Sequence, residues 1–189
     1  VGGLEIKMDE WNVDVALTSS QKALMAPPGL GFVCLSDKAW DAVEKSKYPK
    51  FYFDYKKARE SNKTHQTPWT PAIFTIFAVD ESLNMIFEEG LDNLYCRHKN
   101  NAKLVREGIK ELGLSIFPKD ENYSSPTLTC IKATGKSKAI VKRLAEEGIT
   151  VNGGLAPLAE DTFRVGTMGY VSEYDVVAFL YALEKVLNS

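Results

Sequence analysis

The chain has 189 residues, 44% hydrophobic and 25% charged, with 23 basic and 25 acidic side chains for a formal net charge of -2. That size and balance fit one ordinary globular domain, or a small domain joined to part of another. Nothing in them suggests a basic nucleic-acid footprint or a polybasic membrane surface, and no apolar run reaches the length that crosses a bilayer.

The opening "VGGLEIKMDEW" has neither a basic n-region nor an apolar h-region. It reads as the interior of a protein, so the chain is expected to be a C-terminal portion of something longer. "VDVAL" (13–17) and "GFVCLS" (31–36) are short β-rich apolar runs, expected as strands buried on both faces. Ser36 is placed to cap a helix through "DKAWDAVEKS", with Ala39, Trp40 and Val43 on one face. From Lys47 the chain is aromatic, charged and irregular, and is expected as a long connection with a short strand at "FYFDY". Thr70 and Pro71 read as the N-cap and first residue of a helix through "AIFTIFAVDESLNMIF". Gly90 interrupts it, and a longer helix follows from about Leu91 to Leu112, with Leu91, Tyr95, His98, Ala102, Val105, Ile109 and Leu112 on one face and Gly113 ending it.

The remainder alternates. "LSIFP", "TLTCIKA", "ITVNGG" and "TFRVG" read as strands, and "SKAIVKRLAEEG" as a helix closed by Gly148. A last helix runs from Ser172 to Leu187, entered through a capping box and burying Val176, Val177, Leu180, Leu183 and Leu187. The mixture predicts a small α+β domain from about Leu114. Cys34, Cys96 and Cys130 are widely spaced and odd in number, which argues against a disulfide framework or a zinc site. They are expected to be buried, inert and reduced, as in a cytosolic protein.

Lys22 breaks this pattern. It follows an apolar strand, at the end where open α/β sheets place ligands, and its neighbours Ser19 and Ser20 are small enough to leave room for one. Most lysines are simply exposed. A lysine desolvated in such a place is a Schiff-base nucleophile of the kind pyridoxal phosphate enzymes require.

The stretch Ser19-Ser20-Gln21-Lys22-Ala23-Leu24, followed by Pro27-Pro28-Gly29, resembles the cofactor-lysine motif of class V, fold-type I aminotransferases. The nearest resemblance is to the alanine–glyoxylate, serine–glyoxylate and serine–pyruvate enzymes. Ser19 stands where that motif has glycine. Three more segments resemble the same family in the same order. "HQTPWTP" looks like its dimer-crossing segment, "EEGLDNLYCRHKNNAKLVREGIKELGL" like its inter-domain helix, and "TFRVGTMG" like its substrate-arginine motif. The resemblance implies an α/β fold: residues 1–88 as the C-terminal part of the pyridoxal phosphate-binding large domain, and residues 89–189 as the linking helix and a small α+β domain.

It also implies a pyridoxal 5'-phosphate-dependent transaminase that moves an amino group from serine or alanine to glyoxylate or pyruvate. Lys22 would form the Schiff base and carry the proton at the substrate Cα. Gln21 would help hold the cofactor phosphate, Thr70 and Thr67 would reach that phosphate from the partner subunit, and Arg164 would bind the substrate carboxylate. Arginine's planar fork suits a carboxylate, and a threonine at a helix start sits among free N–H groups suited to phosphate. The bland readings stand beside these: Arg164 as a surface-paired strand residue, Thr70 as a plain cap, His98 as a satisfied core histidine, and Gly153 and Gly154 as a turn, although the resemblance implies that such a glycine pair lies close to the substrate.

The resemblance places the carboxylate that pairs the pyridinium nitrogen a few residues before Val1, with the ring-stacking aromatic and phosphate loop earlier still. The chain alone is therefore expected to be inactive, and the full-length protein to be a cytoplasmic homodimer with shared sites and no nucleic-acid or membrane partner. Ureidoglycine–glyoxylate and aminoethylphosphonate–pyruvate aminotransferases remain open alternatives, as does a non-catalytic fragment. A cysteine desulfurase would want histidine where Gln21 stands.

Overall fold

In a computed structural model, which describes residues 2–188, β1 (Val15–Ser19) and β2 (Gly31–Leu35) pair antiparallel, Val15 opposite Leu35 and Ser19 opposite Gly31. The expected burial of these strands is not found: Leu17 is 71% exposed and Val33 43%. Apolar composition marks what a strand could bury, but burial needs a layer packed over it, and a two-stranded ribbon cannot cover its own faces.

Helix α1 (Asp37–Lys45) is capped as expected, Ala39 N–H donating to Ser36 Oγ at 3.1 Å. The same hydroxyl donates to Asp14, whose carboxylate also pairs Lys38 at 2.7 Å. The expected strand at "FYFDY" is replaced by a bend and by helix α2 (Tyr55–Asn62), whose N-cap Asp54 accepts from Lys56 N–H at 2.9 Å. α2 buries no residue, so it carries no apolar stripe by which periodicity could have revealed it. The aromatic residues before it pack on one another. Tyr52 stacks on Trp69 with ring centroids 5.4 Å apart, and the Trp69 indole donates to the Tyr52 carbonyl at 3.0 Å.

Helix α3 (Ile73–Glu89) begins later than the sequence predicts. Its first bond is from Ile76 N–H to the Ala72 carbonyl, and Ile73 N–H turns back to Pro71 at 3.0 Å. Thr70 therefore caps no helix. Pro71 and Ala72 form a tight turn of their own, and a residue before proline is steered toward extended backbone. Phe74, at the start of α3, is 90% exposed. Two compact units divide between Phe87 and Glu88, within α3.

The second unit is built on a four-stranded antiparallel sheet in the order β3 (Ser115–Ile116), β4 (Leu128–Lys132), β6 (Thr162–Gly166), β5 (Asn152–Gly153). Ile131, Phe163 and Val165 point to a core shared with α4 (Leu91–Glu111), α5 (Ser137–Glu146) and α6 (Glu173–Leu187). Gly113 and Gly148 close α4 and α5 at φ +77 and +82, each with the two backbone bonds of a Schellman ending. Gly108 is different: it lies inside α4, where a Cβ would come within 2.5 Å of Leu180 on α6, so its absence lets the two helices approach closely. The capping box at Ser172 and Asp175 is present. Val177, expected in the core, is exposed, while Phe179, Ala182 and Val186 are buried beside Val176 and Leu183. The thiols also depart from expectation: Cys34 and Cys96 are exposed and Cys130 is half-buried, all three free. Among the described residues no helix is long and apolar enough to cross a membrane.

Arg97 ties α4 to the loop after β6. Its fork pairs both oxygens of Glu89 at 2.7 Å, and its third nitrogen donates to the carbonyls of Gly169 at 2.6 Å and Val171 at 3.0 Å. The Arg97 guanidinium holds the Glu89 carboxyl below its ordinary value of 4.5. The fold thus favours the ionised carboxylate, and the stability it contributes is present above the ordinary value and lost as pH falls through the lowered one. Glu89→Gln is expected to cost about 1.5–3 kcal/mol near neutrality. That deficit should shrink in acid, as urea denaturation at the two pH values will measure.

Candidate active site

Lys22 lies in the connection from β1 to β2, exposed, and so not desolvated at a buried strand end as the sequence predicts. Among the described residues it enters no ion pair. What fixes it is Ser20, which is fully buried. Its hydroxyl donates to the Pro27 carbonyl at 2.7 Å and accepts from Leu30 N–H at 3.2 Å. Its backbone N–H donates to Leu30 at 3.1 Å, and its carbonyl accepts from Ala26 at 2.9 Å. One residue thus closes residues 20–30 into a loop with Lys22 near its start. Ser20 does not leave room for a ligand, as its size suggested; it ties the turn. The signal available in the sequence was a small hydroxyl two residues before the lysine and seven before a Pro-Pro-Gly turn.

Two further features shape this loop. Met25 adopts φ +58, a left-handed conformation that costs a non-glycine residue energy, and its N–H bonds the Lys22 carbonyl at 3.0 Å. Gly29, at φ +144, lies against α3, where a Cβ would come within 3.1 Å of Thr75 Oγ1. Gln21 is exposed beside Lys22. The two residues stand in one turn.

Thr67 and Thr70 lie elsewhere in the first unit. Thr67 joins Val33, Trp40, Tyr55, Arg59 and Pro68 around a hollow of about 340 Å³. Its hydroxyl proton goes to the Trp69 carbonyl at 2.7 Å. Thr67 could donate to a phosphate only by breaking that bond. Thr70 is exposed, and no cap bond engages its hydroxyl.

Arg164 belongs to the second unit, in the middle of β6. Its neighbours in register are Cys130 on β4 and Asn152 on β5, so these three share the sheet face turned away from the helices. It is half-buried, and its Nε donates to the Gly153 carbonyl at 2.9 Å. Among the described residues no carboxylate pairs with it, so the surface ion pair that would have made it an ordinary strand arginine is not formed. The loop after β6 is fastened to α4 by residues whose role the sequence did not disclose: Arg97, as above, and Asn101, which donates to Val171 at 2.8 Å. His98 is a satisfied core histidine, as expected, fully buried with Nε2 accepting from Gly169 N–H at 3.1 Å.

The first unit therefore presents an accessible primary amine on a bonded turn with a carboxamide beside it, and the second presents a guanidinium that pairs no carboxylate among the described residues. Such groups serve imine chemistry and carboxylate binding, in a mixed α/β protein. The sequence pattern of the family described as Aminotransferase class-V matches residues 1–179, and the chain belongs to that family. It is 37% identical over 189 residues to a serine–glyoxylate aminotransferase of Arabidopsis thaliana, covering 98% of this chain and 47% of that protein. It is 35% identical over 189 residues to a protein described as the soluble hydrogenase 42 kDa subunit of Anabaena cylindrica, covering 99% of this chain and 49% of that protein. Its fold superposes with a TM-score of 0.92 on the crystal structure of an alanine–glyoxylate aminotransferase from Nostoc sp., at 33% identity, over 98% of this chain and 51% of that one. The chain spans about half the length of the curated relatives it matches.

Proposed function

We propose that this chain carries the cofactor lysine and the substrate-carboxylate arginine of a pyridoxal 5'-phosphate-dependent aminotransferase. It would move an amino group from a small amino acid, serine or alanine, to glyoxylate or pyruvate. The observation that carries the reading is Arg164, a half-buried guanidinium presented on an open sheet face with no counter-ion among the described residues, in a chain whose lysine turn is closed by Ser20. Residues 1–88 are then part of the cofactor-binding domain, and residues 89–189 the linking helix and small domain. The working protein is a cytoplasmic homodimer, and this chain alone is inactive.

The residues present fit the cofactor. Lys22 would carry it as a Schiff base, with the Gln21 carboxamide donating to its phosphate, and Thr70 from a second copy, whose hydroxyl makes no hydrogen bond among the described residues, would do the same. When bound, pyridoxal phosphate supplies the electron sink for a carbanion at the substrate Cα. Lys22 Nζ would move the proton between that carbon and the imine-bearing carbon of the cofactor, acting as a positioned general base and acid. Arg164 would bind the substrate carboxylate and so fix the orientation of the amino acid.

The test uses the complete protein loaded with pyridoxal phosphate. Serine, alanine, ureidoglycine and aminoethylphosphonate are offered singly as donors, with glyoxylate or pyruvate as acceptor, and the amino products are measured. Transfer from serine or alanine supports the reading. Transfer from ureidoglycine or aminoethylphosphonate alone overturns the donor assignment, and none from any donor overturns the reaction.

Phe74 is the residue at which the dimer expectation is best tested. Trp69 is occupied within its own chain by Tyr52 and Phe51, whereas Phe74, four residues after Thr70, is almost wholly exposed. Burying such a side chain is worth about 1.5–3 kcal/mol. Phe74→Glu is expected to shift the complete protein toward monomer and to weaken cofactor binding in parallel, read by sedimentation with and without pyridoxal phosphate. A monomer that holds the cofactor as tightly as the parent would place the whole phosphate site within one subunit.

A further inference from the structure

A guanidinium can receive a carboxylate side-on, through Nε and one terminal nitrogen, or end-on, through both terminal nitrogens. In Arg164 the choice is made by β5. Its Nε–H is already given to the Gly153 carbonyl at 2.9 Å, which leaves the terminal edge of the fork. The carbonyl reaches Arg164 because β5 closes onto β6, with Asn152 opposite Arg164 and Gly153 opposite Phe163. The next residue continues the closure, Gly154 N–H donating to the Thr162 carbonyl at 2.8 Å.

Gly154 is where a side chain would prevent this. A Cβ there would overlap Thr162 Oγ1 and come within 2.6 Å of the Leu158 carbonyl and 2.9 Å of the Thr162 carbonyl. Two of those three atoms are backbone, and the Thr162 hydroxyl is itself bonded to the Leu158 carbonyl at 2.9 Å, so no flexible chain end yields. At Gly153, by contrast, a Cβ would meet nothing within 4 Å. The requirement for bare backbone is therefore specific to position 154.

Resting on the reading of Arg164 as the carboxylate receptor, we propose that Gly154 is a positioning residue for substrate recognition. Its missing side chain lets β5 close on β6, and the Gly153 carbonyl then holds the Arg164 fork so that a carboxylate is met end-on. The proposal requires no contact between either glycine and the substrate. They act through the orientation of one guanidinium.

The experiment compares the parent, Gly154→Ala, Arg164→Lys and the double variant, each as the complete protein loaded with pyridoxal phosphate. Measured are KM and kcat for serine and alanine, the inhibition constant of propionate, and cofactor retention. Gly154→Ala is expected to raise KM and the propionate constant about tenfold, with kcat less affected and cofactor retained. In the Arg164→Lys background, where the fork is already gone, the same substitution should add no more than about twofold. An equal loss in both backgrounds, or no loss in either, overturns the proposal. If Arg164→Lys alone leaves propionate affinity unchanged, the carboxylate role of Arg164 falls, and this proposal with it. A second measurement needs no folded Gly154 variant. In parent protein labelled with ¹⁵N-arginine, the Nε–H signal that disappears in Arg164→Lys should be protected from solvent exchange, and remain so when propionate is added. Rapid exchange of that proton, or its transfer to propionate, overturns the proposal.

Discussion

Replacing Lys22 by alanine in the complete protein is expected to lower the rate of amino-group transfer by at least about a thousandfold, because one side chain supplies both the covalent amine and the general base. The loop around it should survive the change. Ser20 closes residues 20–30 through its own hydroxyl and backbone, and none of those bonds uses the Lys22 side chain. The variant should therefore fold as the parent does and bind pyridoxal phosphate without the absorbance of a lysine imine. In the parent, borohydride reduction followed by peptide mapping should place the pyridoxyl group on Lys22. Lys38 is the instructive control, since its amine is engaged by Asp14 at 2.7 Å. An adduct on Lys38, or on any lysine other than Lys22, would show that the turn is structural and the motif a coincidence.

Arg164→Lys should separate substrate recognition from cofactor binding. An ammonium keeps the charge but cannot form two parallel bonds to a carboxylate, nor donate through an Nε to Gly153. Loss of one charge-assisted pair is expected to cost about 1.5–3 kcal/mol in transition-state stabilisation, measured as kcat/KM for serine or alanine. Cofactor retention should be nearly unchanged, because Lys22 and Gln21 belong to the other unit. Catalytic efficiency equal to the parent's would rule out the carboxylate role. A parallel loss of cofactor would mean that Arg164 supports the fold instead.

The side chains proposed for the chemistry were singled out by local signals. Lys22 and Gln21 stand in one short motif, and Arg164 in another. The caps were legible for the same reason. Ser36 at the entry of α1, the box at Ser172 and Asp175, and the closing glycines Gly113 and Gly148 satisfy backbone groups within a few residues of themselves. A misreading arose where a local rule had two outcomes. Thr70-Pro71 can open a helix or precede a separate turn, and here the turn is formed.

By itself, then, the sequence determined which residues are candidates for the chemistry and where most helices start and stop, because short-range hydrogen bonding and a few side-chain types decide those matters. Tertiary structure decided what each residue faces. That β1 and β2 are exposed, that Cys34 and Cys96 are open to solvent, and that Val177 lies outside the core all depend on which layer covers which, and no spacing along the chain encodes that. The same holds at the site. Ser20 became the anchor of the lysine loop by meeting Pro27 and Leu30, and Arg164 acquired its orientation from a carbonyl eleven residues away. Hydrogen-bond partners brought together by strand pairing are distant in sequence, so their effect on a functional side chain appears only once the strands have closed.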